Sequence, residues 1–381
     1  MSNTLTGLIP TLYAALDVVS RELVGFIPAV ARDSNAERAA VGQDVTYHVA
    51  PPATTFDITP GTSAPNNGDQ NIGTDSMKIT KAKAAPVRWN GEEQLAVGHT
   101  GQYNVILRDQ FTQAMRALVN EVESDLAGLY VHASRAVGDA GTAPFGTAGD
   151  FSDFAQALQV LDDNGAPITD RQLVLGSAAM ANIRGKQSVL FKANEAGTDE
   201  LLRNGIIARV EGFDVHSSGG VRKHTKGTGA SYVTDGSTAA GVSDIALVTG
   251  TGTVLAGDVV TFAADTANKY VVGKGVTAPG TISLNKPGAR IVIPTGNAMT
   301  IGNGYAANLA FHRSAIHLVT RAPAMPQGGD AADDVMEIVD PVSGLAFQIA
   351  IYREYRQVRY EVGLAWGVKA AKSEHIALLM G

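Results

Sequence analysis

The chain of 381 residues suits two or three modest domains, its 45% hydrophobic content is ample for a sizeable core, and its 42 glycines announce many turns. A net charge of −7 argues against a general nucleic-acid binder, and the absence of cysteine excludes disulfides and thiolate metal sites, which fits folding in a reducing cytoplasm. No stretch reads as transmembrane: the most apolar N-terminal run carries Asp17, Arg21 and Glu22 near its middle, and without a basic residue before Arg21 it is not expected to serve as a signal peptide.

Along residues 4–31, Leu5, Leu8, Ile9, Leu12, Leu16, Val19, Leu23, Phe26 and Val30 fall at helical spacings, with Pro10 and Pro28 as breaks. This amphipathic stripe can dock on its own fold or on a neighbouring copy. A strand-like "VTYHVA" then leads into a stretch rich in Pro, Gly, Asn and Thr, followed by the basic "MKITKAKAAPVRW". Residues 45–98 together read as a long, open two-stranded excursion, and connections of that length tend to be functional or disordered. The charges are sorted along it: Asp57, Asp69 and Asp75 come first, then Lys78, Lys81, Lys83 and Arg88.

The strongest periodic signal follows. Leu107, Phe111, Met115, Leu118, Val122, Leu126, Leu129 and Ala133 step by three and four, predicting one helix over 104–136. At 1.5 Å per residue it would be roughly 45–50 Å long, a strut that must pack on a sheet from elsewhere. "FSDFAQALQVLDDNG" predicts a short amphipathic helix, "RQLVLGSAAMANI" a strand, turn and helix start, and "LLRNGIIARVEGFDVHSSGG" a turn at Asn204-Gly205 and strands broken at Gly212.

From 224 to 304 the texture changes to short β-rich runs between Gly, Asn and Pro: "DIALVTG", "VLAGDVVTFAA", "KYVVGKG", "GTISLN", "ARIVIPTG" and "AMTIG". These predict a small barrel or sandwich inserted into an interrupted domain. The C-terminal quarter reads as β, with a hairpin turn over 340–344, a last strand through Val358, Tyr360, Val362, Leu364, Trp366 and Val368, and a cluster of Arg353, Arg356 and Arg359 near its start.

"NLAFHRSAIHLVTRAPAMP" (308–326) looks most like chemistry. His312 and His317 are five residues apart, which on a strand sends them to opposite faces and on a helix separates them by about 140°, so neither arrangement lets them share a metal. No phosphate-binding loop, HExxH or GxSxG occurs, the Gly spacing of "GTGTVLAG" is wrong for a dinucleotide loop, and "DDNG" and "DAADD" lack calcium-loop spacing. No catalytic, cofactor or metal site is expected, and the segment reads as architecture.

In the order of these parts the chain resembles the major capsid proteins of tailed bacteriophages, the HK97-like α+β fold, and within them the P22-type coat proteins. The N-terminal helix (1–49) resembles that family's N-arm, 50–98 its E-loop, and the helix at 104–136 the spine of its peripheral domain (99–150). "LLRNGIIARVEGFDVHSS" is similar to part of its axial domain (151–223), the β insert at 224–304 to its inserted β-barrel domain, and 305–381 to the return through the core sheet. The insert is shorter and poorer in charge than the family's, and no built-in scaffold segment is seen, so a separate scaffolding protein is implied. The resemblance implies a non-enzymatic shell protein of the virion, assembled in the bacterial cytoplasm into pentamers and hexamers around double-stranded DNA bound without sequence specificity. A portal and a decoration protein are the further partners it implies, with no membrane and no cofactor. Subunit contacts would fall on Asp57, Asp69, Asp75, Lys78, Lys81, Lys83 and Arg88 of the E-loop, and on Arg353, Arg356 and Arg359. Lysine crosslinking, known in some members, is not carried over, since P22-type coats lack it. The rival expectations are an encapsulin-like compartment shell and a soluble β-rich enzyme or binding module.

Overall fold

The computed structural model describes residues 9–22, 25–49, 55, 57–58, 60, 73–98, 103–187, 209–340 and 343–381. Helix α1 (Ile9–Glu22) has Pro10 in its first turn, where the missing N–H is no loss, and is followed by the single turn α2 (Phe26–Ala29). Strand β1 (Ala31–Ala39) precedes a hairpin of β2 (Asp44–Val49) and β3 (Gly73–Lys78), then β4 (Lys81–Asn90), α3 (Gly91–Gly98) and the long α4 (Tyr103–Ala127). Asn90 opens α3 with a reciprocal cap: its Oδ1 accepts from the Glu93 N–H at 2.8 Å, and its own N–H donates to Glu93 Oε2 at 3.1 Å. Next come β5 (Arg135–Val137), α5 (Ser152–Asp163), β6 (Arg171–Leu175), α6 (Ser177–Lys186), β7 (Arg209–Val210), β8 (Phe213–Ser217) and β9 (Lys223–His224). Six strands follow: β10 (Tyr232–Thr234), β11 (Asp244–Val248), β12 (Val259–Phe262), β13 (Asp265–Lys274), β14 (Thr281–Leu284) and β15 (Ala298–Ile301). The chain ends with β16 (Tyr305–His312), β17 (Ile316–Pro323), β18 (Asp334–Val339), β19 (Ala346–Glu354), β20 (Gln357–Ala370) and β21 (Ile376–Met380).

One sheet is organised by β20. Along one edge it pairs with β4 over residues 357–366, and its other edge is shared between β19 (348–354) and β17 (316–321), with β18 and β1 outermost. Helix α4 lies across this sheet, burying Leu107, Phe111, Met115, Leu118, Val122 and Leu126. Phe111 meets the Tyr360 ring edge-on at 5.5 Å, and fully buried Trp366 donates from Nε1 to Asp125 at 3.0 Å. Helix α1 packs on α4 through Leu12, Ala15, Leu16 and Val19, all buried.

A second sheet runs β5-β21-β16-β6-β8-β7. Phe154, Ala157 and Leu161 of α5 and Met180 and Ile183 of α6 share a core with Leu173, Leu175 and Leu379 from its strands. Strands β10 to β15 close on themselves in the order β12-β15-β10-β11-β14-β13, with β13 returning to β12. This six-stranded antiparallel barrel leaves no open edge within its ring and has its own core, including Ile245, Val260, Phe262, Tyr270 and Ile282. It continues into the second sheet by a short pairing of β13 with β5.

Three expectations need correction. The long helix stops at Ala127 and not near 136, and 25 residues give it about 38 Å. Gly128 follows, and a 3-10 turn (Gly128–His132) carries Leu129 on toward the core. Other segments take the terminal carbonyls: Arg222 donates to Ser124 O at 3.0 and 3.2 Å, and Asn285 Nδ2 to Val131 O at 2.7 Å and Ala133 O at 2.8 Å. Residues 81–98 are not part of the open excursion, because Val87 and Trp89 turn inward and seat β4 against β20. Pro86 is tolerated there because β4 is an edge strand. "ARIVIPTG" forms only an isolated bridge between Ile293 and Thr238, and the sixth barrel strand is Tyr232–Thr234.

Candidate subunit-interface surfaces

Among the described residues, strands β2 and β3 pair only with each other, from Asp44↔Lys78 to Val49↔Gly73. The base of this hairpin is fixed firmly. Met77 and Ile79 are buried against Ala39, Val319 and Ala365, the Thr80 N–H donates to Trp366 O at 3.0 Å, and the Gly42 N–H to Ile79 O at 2.8 Å. Beyond the base, Asp44, Thr46, Gly73 and Thr74 are exposed. A two-stranded ribbon has no second layer in which to bury a face and is marginal alone.

Three of the excursion's predicted charges are engaged within the subunit. Asp75 pairs with Lys369 at 2.5 Å, and Lys369 also donates to Ser76 O at 2.8 Å. Lys81 reaches Asp125 at 2.8 Å and Glu121 at 3.1 Å, with its ammonium 5.9 Å from the Trp366 ring centroid. Lys83 reaches Glu121 at 2.6 Å. Hydrogen bonding to Asp125 raises the Lys81 pKa against the opposing effect of burial, and bonding to Lys83 lowers that of Glu121. The geometry explains this: Lys81 and Lys83 project from the same face of β4, and Glu121 and Asp125 are one turn apart on α4 above it. Asp57, Lys78 and Arg88 have exposed side chains, and Asp69 lies outside the described residues.

At the other end of the sheet, Arg353 pairs with Asp333 at 3.0 Å. Arg359 stacks over the Tyr352 ring at 4.9 Å, with Glu354 and Glu361 at 3.7 and 3.9 Å. Arg356 sits in the tight turn between β19 and β20 at φ +57°, a left-handed conformation costly for a residue with a Cβ. Beside it Tyr355 is 89% exposed. Sequence reading missed this tip, because "REYRQ" contains no Gly, Asn, Asp or Pro to mark a turn. Between β4 and α4 lies an open, mainly apolar trough of about 580 Å³, lined by Pro86, Val87, Arg88, Ile106, Gln110 and Ala114.

The segment 308–326 is a corner. Residues 313–315 form a 3-10 turn that carries the chain from β16 in one sheet to β17 in the other. His312 Nδ1 lies 2.8 Å from Ser314 Oγ, and His317 Nε2 lies 3.0 Å from Ser314 O. Burial pushes the pKa of both imidazoles below the usual histidine value. Arg321 is held by the Asp33 carboxylate at 2.9 Å. Among the described residues, no group of three or more His, Asp or Glu side chains could hold a metal ion, and no helix is long and apolar enough to cross a membrane. A polar groove of about 870 Å³ runs along the loop 138–153, where Asp153 accepts from the Phe145 N–H at 2.5 Å and Asp139 pairs with Lys269 at 3.0 Å.

No family model matches the sequence, and no curated protein matches it. Among solved structures, the chain is similar to the capsid structure of the cyanophage P-SCSP1u, at 13% identity over 92% of this chain and 86% of that one, with a TM-score of 0.47. A virus-like particle from Pyrococcus furiosus gives 10% identity, coverage of 97% and 98%, and a TM-score of 0.46. A structure from Mycobacterium phage Che8 gives 14% identity, coverage of 89% and 84%, and a TM-score of 0.44.

Proposed function

We propose that this chain is a shell-forming coat protein: the major capsid protein of a tailed bacteriophage, with an HK97-like fold, assembling into the pentamers and hexamers of an icosahedral head around double-stranded DNA. The observation that carries the reading is the β2–β3 hairpin, firmly seated at its base and, among the described residues, without a second layer beyond it. Such a ribbon gains stability when it lies on a neighbouring copy, and repetition of that contact produces rings and shells.

In this reading the protein's work is mechanical, and its residues position one another instead of reacting. The intramolecular pairs of Lys81 and Lys83 hold β4 against helix α4, and the pair of Asp75 with Lys369 holds the hairpin root on β20. The charges offered to a neighbour are Asp57, Lys78 and Arg88, with Asp69 in the same connecting stretch and the Tyr355–Arg356 tip as a second contact. An exposed ion pair contributes about 0–1 kcal/mol. Cohesion therefore rests mainly on apolar area buried between copies, at about 25 cal/mol per Å² before the cost of association. Weak contacts repeated many times also let misplaced subunits leave. A scaffolding protein, a portal, a decoration protein and packaged DNA are the partners that the sequence resemblance brings to this proposal.

The test reverses Lys78 and Arg88 together, leaving Lys81 and Lys83 in place because they hold the subunit's own helix. The variant Lys78→Glu/Arg88→Glu should keep the circular dichroism and melting temperature of the parent but form few or no particles. Normal particles from this variant would remove Lys78 and Arg88 from the account.

A further inference from the structure

The barrel joins the body through a neck of two chain segments, one entering after β9 and one leaving before β16. These strands pair antiparallel, with His224 opposite Tyr305. Continuing that register by two residues sets Lys226 opposite Asn303, and Lys226 Nζ donates to Asn303 Oδ1 at 3.1 Å. Both residues are exposed. Asn303 is followed by Gly304, whose missing Cβ leaves its nitrogen open to the preceding side chain. A backbone nitrogen after an asparagine attacks that side chain readily only when its N–H is not already engaged. Three Asn-Gly pairs lie among the described residues, and two of them are tied down. The Gly91 N–H donates to Arg356 O at 3.1 Å, and the Gly165 N–H to Asp162 O at 3.0 Å. The Asn164 amide also donates to Glu374 O at 2.7 Å and to Ser134 Oγ at 3.0 Å. Among the described residues the Gly304 N–H has no hydrogen-bond partner.

We propose that Asn303 is a site of spontaneous, one-way deamidation, with Lys226 as the cation that assists it. The Gly304 nitrogen gives its proton to water and bonds to Asn303 Cγ. Negative charge then builds on Oδ1, where the Lys226 ammonium already sits, and a donor aimed at developing charge lowers the barrier. The Cγ–Nδ2 bond breaks, and the nitrogen leaves as ammonia with a proton from water. Water opens the cyclic imide at either carbonyl, leaving an aspartate or an isoaspartate at position 303. In sum one water is consumed and one ammonia released, with no oxidant or reductant. The new carboxylate faces Lys226, so a neutral acceptor becomes half of an ion pair across the neck. The isoaspartate also routes the main chain through the former side chain, one atom longer, directly before Tyr305. Tyr305 is buried, its ring 5.1 Å from that of His224, and its hydroxyl donates to Gly257 O of the barrel. The change therefore lands where the barrel is joined to the body.

The test incubates the purified full-length chain, folded, at mildly alkaline pH and follows each Asn-Gly site by peptide mapping and mass spectrometry. Asn303 should convert about fivefold or more ahead of Asn90 and Asn164, the rate equivalent of a hydrogen bond that must first break. In urea that unfolds the chain, the three sites should converge. Lys226→Met, which removes an exposed cation, should slow Asn303 severalfold, about fivefold at most, and leave the other two sites unchanged. Three results would each overturn the proposal: no lead of Asn303 in the folded chain, a lead that persists in urea, or equal or faster conversion of Asn303 in Lys226→Met. The readout needs no assembly, so the result stands apart from the proposed shell function.

Discussion

Gly367 shows how one residue sets the hairpin's direction. A Cβ there would lie 2.0 Å from Lys78 O and 2.9 Å from its carbonyl carbon, and both obstacles are backbone at the hairpin root. Gly367→Ala must therefore displace β3 from β20 and break the Thr80-to-Trp366 hydrogen bond beside it. The expected cost is about 1–3 kcal/mol, read as a lowered midpoint in urea unfolding. An unchanged midpoint would mean that the hairpin root is loose and the proposed neighbour contact has no fixed aim. The lysines teach a related lesson. Sorted charge in "DSMKITKAK" suggested contacts with another subunit, yet Lys81 and Lys83 face the subunit's own Glu121 and Asp125. Sequence could not reveal this, because the partners lie some 40 residues away and meet only once β4 is seated beneath α4.

At the level of elements, much was legible because it depends on local periodicity. The short β-rich runs around Asp244–Val248, Val259–Phe262 and Thr281–Leu284 are set apart by turn residues, and all three contain strands. Helix α4 was visible through its buried stripe, while its end was not, because that end is fixed by groups remote in sequence. Asn285 belongs to the barrel and Arg222 to its approach, and together they take carbonyls of the helix and the turn after it. Likewise β4 could not be separated from the preceding loop, since its inward alternation is only Val87 and Trp89. The barrel thus does more than sit on the body; it completes the end of the spine. Removing the Asn285 amide with Asn285→Ala leaves two carbonyls without that donor and should cost about 1–3 kcal/mol. Hydrogen exchange should show the loss around residues 128–133 with the barrel strands still protected. Equal loosening of the barrel strands would contradict the idea that the barrel has an independent core.

At the level of the molecule, two sheets meet at paired corners. The 3-10 turns 313–315 and 373–375 carry the chain between them, and the Ala371 N–H bonds Ala315 O at 2.8 Å across the two corners. The two-histidine segment that looked most like chemistry in the sequence is spent on one of these corners. Among the described residues, the hairpin beyond its base and the apolar trough along β4 are left open to a neighbour. The most direct measurement is sedimentation velocity with negative-stain microscopy on the purified chain, alone and with a candidate scaffolding protein. The account predicts closed shells or fragments built of five- and six-membered rings. A discrete monomer or dimer under every condition would contradict it.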